Sequence, residues 1–333
     1  MRDHAIDVHA HFFPEPYLKV IEVEGASFGA SVDRGNPRGP SLRTAAGATP
    51  PLDPTYFDID RRVRAMDKAG VQVHALSLTS PMVYWAGPDV GARLARAYND
   101  ACAQAHRAYP TRFVGCATLP LQDSARALEE LERAATLPGI RGVYMGTNVN
   151  GRDLSDPALF PVFQRCEALR LPVLLHPITV IGGENRLKPF YLNNLLGNPF
   201  DNAIAAAHFI FGGILDRCPK LDVVLPHGGG AFPYLWGRLQ RGQKMRPEAK
   251  TAAKKKVESY LRRFHYDTIT HDPGALKYLI DTVGADRVSL GSDYCFDMGY
   301  DRPRDIIEKG LRLPPADREK ILRGNAARLL KLR

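Results

Sequence analysis

No apolar run in this chain reaches the roughly 20 residues that a membrane-spanning helix needs; polar groups interrupt each one first. The start, MRDHAIDVHAHFF, has no basic patch leading into an apolar stretch and a small-residue cleavage site, so no export signal is expected and the cytoplasm is the expected compartment. Cysteine is sparse. Cys102, Cys116, Cys166, Cys218 and Cys295 stand far apart with no CxxC pair, which predicts free thiols in a reducing compartment and excludes a disulfide scaffold. Internal repeats are absent, and AKTAAKKK is the one low-complexity tract. The glycines of PHGGGAF are not followed by Lys-Ser/Thr, so they are not a Walker-type phosphate loop; they are read as letting the backbone pass close to a site. Acid is scarce in one segment: residues 238 to 263 hold ten Lys or Arg against Glu248 and Glu258, which is most of the net charge of +9. A solvated helix face is the plain reading of that charge. Nucleic acid is not an expected partner, because no reader motif is present and only Tyr260 interleaves an aromatic ring with the cations. An acidic small molecule stays open as a partner.

What is present is an alternation. The apolar and charged shares, 44% and 24%, are those of a globular protein, and 333 residues suffice for one large domain over 1–333. Eight short β-rich runs recur along it: 5–12, 71–78, 112–119, 140–146, 172–177, 221–227, 264–269 and 287–293. Between them lie helical stretches such as DIDRRVRAMDKAG and DPGALKYLIDTVG, several opening on Asp or Ser and closing on Gly or Pro. Eight strands alternating with helices predict an α/β fold, a (β/α)8 TIM barrel whose parallel strands are buried on both faces. Two stretches break the alternation, 13–57 and 178–198. Both follow a strand, so they are expected as long loops inserted after strands 1 and 5 at the carboxyl rim, where lids and substrate walls form.

DVHAH places His9 and His11 two apart in an extended strand, so both imidazoles face one side and can share an ion. His176, His227 and Asp293 fall at the predicted ends of strands 5, 6 and 8. In a barrel these ends meet at one rim, where imidazoles and a carboxylate suit a divalent metal with an open coordination position. Zn²⁺ is the first expectation and Mn²⁺ the alternative. Of the other histidines, His74, His106 and His208 are read as structural, His4 as exposed, His265 as a strand residue and His271 as a rim contact. Phe12, Phe13 and Trp85 are candidates for an aromatic pocket wall, with packing as the competing reading.

HAHFFP, RRVRAMDKAGV, LLHP, LPHGGG, LGSDYCF and RGNAARLLKL together resemble the amidohydrolase superfamily over nearly the whole chain. They are most similar to its branch of α-amino-β-carboxymuconate-ε-semialdehyde decarboxylase and aromatic-acid decarboxylases. The resemblance implies metal ligands at His9, His11, His176 and Asp293, with His227 as an acid/base beside the metal-bound water. Two-metal members of the superfamily carry a carbamylated Lys on strand 4; here that strand reads YMGTN, which implies one metal per chain. Arg246 stands at the spacing of a carboxylate-binding arginine that reaches into a partner subunit, and this implies a homodimer. Arg238 and Arg241 precede it on the same segment, and a second substrate arginine of that enzyme has no counterpart, since ATPPLDP occupies its place and Arg43 is out of register. The expected substrate contacts are therefore Arg246, Arg238, Trp85 and His271, and the expected catalytic pair is His227 and Asp293. Two reactions fit the ligand set. One is non-oxidative decarboxylation of an unsaturated or aromatic acid, with the proton coming from His227 or Asp293; the other is hydrolysis or hydration by metal-activated water.

Overall fold

The computed structural model describes residues 5–45, 47–183, 185–249 and 252–332; His4 and Lys250 lie outside them. Eight parallel strands follow one another around a single sheet: β1 (Ala5–His11), β2 (Val71–Ser77), β3 (Phe113–Ala117), β4 (Ile140–Gly146), β5 (Val173–His176), β6 (Val223–Leu225), β7 (Phe264–Asp267) and β8 (Val288–Ser289). Backbone hydrogen bonds from Val8 to the Leu290 carbonyl (3.0 Å) and from Asp293 to the His9 carbonyl (2.9 Å) bring the last strand back against the first. The TIM barrel expected from the alternation is the fold. Every residue of β1 is buried, as is every residue of β3, β5 and β6, which is why these strands read as continuous apolar runs rather than alternating ones.

Helices return the chain from each strand end to the next strand start. Their starts are set by side-chain caps: Asp58 accepts from the Arg61 N–H (2.9 Å), Asp123 from Arg126 (3.0 Å) and Asp272 from Ala275 (2.8 Å). Each such cap contributes about 1 kcal/mol. The long helix Pro88–Ala108 buries Val90, Leu94, Tyr98 and Cys102, one residue every four, against the barrel wall. Its Asn99 crosses to the residue just past β3, donating to the Thr118 carbonyl (3.0 Å) and accepting from the Thr118 N–H (2.9 Å).

The strands end earlier at the rim than the apolar runs do. β6 stops at Leu225 and β8 at Ser289, so His227 and Asp293 sit on the loops just beyond, both with left-handed backbone (φ 53° and 60°). The stretch 13–57 is more ordered than a loop. It holds a helix, Glu15–Glu24, whose buried Tyr17, Leu18 and Ile21 keep helical spacing, and a small antiparallel sheet of Ser31–Asp33, Ser41–Thr44 and Gly47–Ala48. The stretch 178–198 carries short turns of 3-10 and π helix, Pro189–Tyr191 and Asn193–Gly197. Among the described residues no helix is long and apolar enough to cross a membrane.

Candidate metal centre

Five titratable side chains converge at the carboxyl rim. His9 and His11 leave the end of β1 on the same face, His176 is the last residue of β5, and His227 and Asp293 descend from the loops after β6 and β8. The donor atoms of His9, His176, His227 and Asp293 all lie within 4.8 Å of one another. His11 Nε2 is 3.1 Å from His9 Nε2 and 2.9 Å from Asp293 Oδ1, which is itself 3.5 Å from His9 Nε2. A triangle of these sides has a point about 2.1 Å from each corner, the bond length of zinc to nitrogen or oxygen.

Hydrogen bonds behind the rings decide which nitrogen faces that point. His9 Nδ1 donates to Asp267 Oδ2 (2.8 Å), and His11 Nδ1 to Ser77 Oγ (3.1 Å), whose own hydroxyl donates to the Ala10 carbonyl. His176 Nδ1 donates to the Pro177 carbonyl (2.7 Å), an oxygen that can only accept, while the Thr79 hydroxyl stands beside the ring, 2.9 Å from Nδ1 and 3.2 Å from Nε2. All three therefore turn an Nε2 lone pair inward, the arrangement a metal requires of imidazole. His227 is held the other way. Asn202 Nδ2 donates to the Pro226 carbonyl (3.0 Å) and to His227 Nδ1 (3.2 Å), so the His227 proton sits on Nε2, 3.9 Å from Asp293 Oδ2.

Burial and mutual charge bias His11 and His176 toward the neutral ring beside an ionised Asp293. Burial pushes His11 down to about 4, against the pull of Asp293, and drives His176 well below its ordinary value with help from His11 and His9. For Asp293, burial is outweighed by its contacts with His11 and His227, which hold the carboxyl well below its usual range. His9 goes the other way: burial is overcome by Asp267 and Asp293, and its affinity for a proton rises. A largely buried cluster of imidazole nitrogens and a carboxylate with no Lys or Arg among them is a donor set suited to a divalent ion.

Two cavities open above the cluster, one of about 450 Å³ beside His227 and one of about 290 Å³ beside His176. They share Asn194, Asn198, Asp293 and Met298, so Asp293 lies where they meet. Residues of both long insertions, Leu42 and Thr49 from one and Tyr191 and Asn194 from the other, line the smaller cavity, as expected of substrate walls. Neither cavity is lined by a Lys or Arg among the described residues.

The predicted substrate contacts separate. His271 lines the larger cavity and packs against Tyr300 (ring centroids 5.0 Å). Trp85 lines neither; its indole donates to the Met82 carbonyl (3.0 Å) and meets Phe28 edge-on. Phe12 and Phe13 are core residues. Arg238 is exposed, and Arg246, at the end of helix Phe232–Met245, pairs with Glu248 (2.8 Å) with 69% of its side chain exposed. Lys244, Lys254, Lys255 and Lys256 line a groove of their own with Arg241. Asp267, Ser77, Thr79 and Asn202 escaped the sequence reading. Asp267 had a signal, being a carboxylate at the end of a buried strand (FHYD); the others are ordinary polar residues until their strand or helix is placed. The three glycines after His227 are all left-handed. A Cβ on Gly230 would lie 2.1 Å from the Pro199 carbonyl oxygen, and the Gly228 N–H donates to Asp267 Oδ1 (2.8 Å).

A family model described as Amidohydrolase matches residues 6–332. The chain belongs to the amidohydrolase family. Within it, a 2-amino-3-carboxymuconate-6-semialdehyde decarboxylase of Dictyostelium discoideum is 33% identical, covering 98% of this chain and 91% of its own. A γ-resorcylate decarboxylase of Polaromonas sp. is 32% identical over 85% and 90%. The crystal structure of a dihydroxybenzoic acid decarboxylase from Polaromonas sp., with bound manganese and the inhibitor 2-nitroresorcinol, superposes with a TM-score of 0.80 at 28% identity, covering 99% and 97%. This amidohydrolase is a carboxy-lyase of the decarboxylase branch, and its rim cluster is a divalent-metal site.

Proposed function

We propose that this amidohydrolase removes carbon dioxide, without oxidation, from a small aromatic or unsaturated acid bearing an oxygen beside the carboxylate. In this reading His9, His11, His176 and Asp293 hold one divalent cation, Zn²⁺ or Mn²⁺, and His227 delivers the proton. The observation that carries it is the opposite hydrogen bonding of the rings: three imidazoles turn lone pairs inward, while Asn202 leaves His227 with its proton on the inward nitrogen. When bound, the cation supplies positive charge that holds the substrate carboxylate and its neighbouring oxygen. His227 Nε2–H then protonates the carbon that bears the carboxylate. The electrons of the breaking C–C bond return to the unsaturated system as carbon dioxide leaves, and His227 recovers its proton from solvent through the larger cavity.

A homodimer completes this reading. Among the described residues no guanidinium lines the cavities, and Arg246 is exposed at a helix end where a second copy can receive it. Phe190 (86% exposed) and Tyr234 (81% exposed) offer apolar surface for such an interface. Five free thiols, four of them buried, support a cytoplasmic location. The test is carbon dioxide release by metal-loaded protein from a panel of hydroxybenzoates and carboxymuconate semialdehydes, run in deuterated water and, in parallel, in oxygen-18-enriched water. Release with one deuteron on the product carbon supports the proposal; solvent oxygen-18 in the product without carbon dioxide would favour hydrolysis.

A further inference from the structure

Arg62, on helix Ile59–Ala69, is 0% exposed and heads the fully buried side chains by volume. A buried guanidinium normally sits against a carboxylate. This one does not: its Nη2 donates to the carbonyls of His11 and of Thr55 (3.1 Å), its Nη1 lies 3.4 Å from His74 Nδ1, and no ion pair accompanies these among the described residues. Its guanidinium carbon lies over the ring of Tyr294, the residue next to Asp293, 4.8 Å from the ring centre. The far side of His74 continues the chain of contacts: Nε2 is 3.6 Å from Asp7 Oδ2, and Asp7 Oδ1 accepts the N–H of His9 (2.8 Å) and of Ser292 (3.2 Å).

The backbones of His9 and His11, and the residues on either side of Asp293, Ser292 and Tyr294, are thus tied, directly or through one or two side chains, to a single cation buried behind the barrel rim. We infer that Arg62 is a positioning residue that clamps the ends of β1 and the loop after β8 together and so sets the affinity of the centre for its metal. Lysine replaces it only in part. An ammonium could reach the two carbonyls that Nη2 bonds, but only the guanidinium also sets a second nitrogen beside His74 and a cationic carbon over the Tyr294 ring.

The inference rests on the metal reading above, and the test separates the two. Mn²⁺ affinity is measured by chelator competition for wild type, Arg62→Met and Arg62→Lys, with the thermal midpoint of each recorded in excess chelator. Expected is Mn²⁺ binding about tenfold or more weaker in Arg62→Met and measurably weaker in Arg62→Lys. The Arg62→Lys protein should keep a metal-free midpoint near wild type. A role in stability alone would lower the metal-free midpoints and leave Mn²⁺ affinity untouched, and that result overturns the inference. If Arg62→Met does not fold, Arg62→Lys decides: wild-type affinity in it overturns the inference. Wild type that binds no Mn²⁺ overturns the metal reading and the inference with it.

Discussion

His9 and Asp267 meet across 2.8 Å between two strands on opposite sides of β8, and both are buried. Asp267 takes the Nδ1 proton of His9 on one oxygen and the N–H groups of Gly228 and Ile269 on the other (2.8 and 3.1 Å). One carboxylate therefore fixes the tautomer of a ring on β1 and the backbone beside His227. Replacing it with Asn turns an amide N–H toward His9 Nδ1, which then accepts and moves its own proton to Nε2, where the metal belongs. Asp267→Asn should weaken Mn²⁺ or Zn²⁺ binding about 10- to 100-fold with the fold retained. Chelator competition alongside circular dichroism checks this, and unchanged affinity would contradict the tautomer argument.

His227 and Asn202 act as a pair in this account. His227→Asn should retain one metal per chain and lose turnover by about 10²-fold or more, the usual contribution of a general acid. Asn202→Leu should lower kcat in the same direction by less, because the ring remains but its tautomer is no longer held. Metal analysis and steady-state rates on the same preparations distinguish this from a ligand role, in which His227→Asn would also lose metal.

Gly230 is where the rim turn tolerates no side chain. Its φ of 57° is left-handed, and a Cβ would overlap the Pro199 carbonyl. Gly230→Ala should push the turn away from helix Asn198–Phe211, on which Asn202 sits, and reduce both stability and kcat. A loss of about 1–3 kcal/mol in urea unfolding is expected from strain and overlap together. Wild-type kcat in this variant would show that the turn does not hold His227.

Asn99 supplies a control far from the metal. It bonds both backbone groups of Thr118 and the buried Glu130 (2.7 Å), which in turn pairs with Arg133 (2.8 Å). Asn99→Ala leaves those groups unsatisfied and should cost about 1–3 kcal/mol of unfolding free energy, with metal content unchanged. Denaturant unfolding and elemental analysis read the two effects separately.

The barrel was legible because its strands are buried on both faces and its helices carry caps, both of which are local properties of the chain. His9 and His11 stood out because the two-residue period of a strand puts them on one face, and His176 because it ends one. His227 and Asp293 lie beyond their strands, yet the rim geometry still gathers them. What stayed hidden depends on side chains meeting across the barrel. Nothing in FHYD says that Asp267 will touch a ring on β1, and nothing in RRVR separates the buried Arg62 from the exposed Arg61 until the helix is docked. The helix Glu15–Glu24 was masked by the glycines and prolines around it, although its apolar spacing is regular.

The most direct test of the account is the metal content of the chain after equilibration with Mn²⁺ and desalting, for wild type and for the double variant His9→Ala, His11→Ala. One Mn²⁺ per folded wild-type chain and none in the double variant is the predicted result. A folded double variant that retains stoichiometric metal, or a wild type that turns over substrate with none, would contradict it.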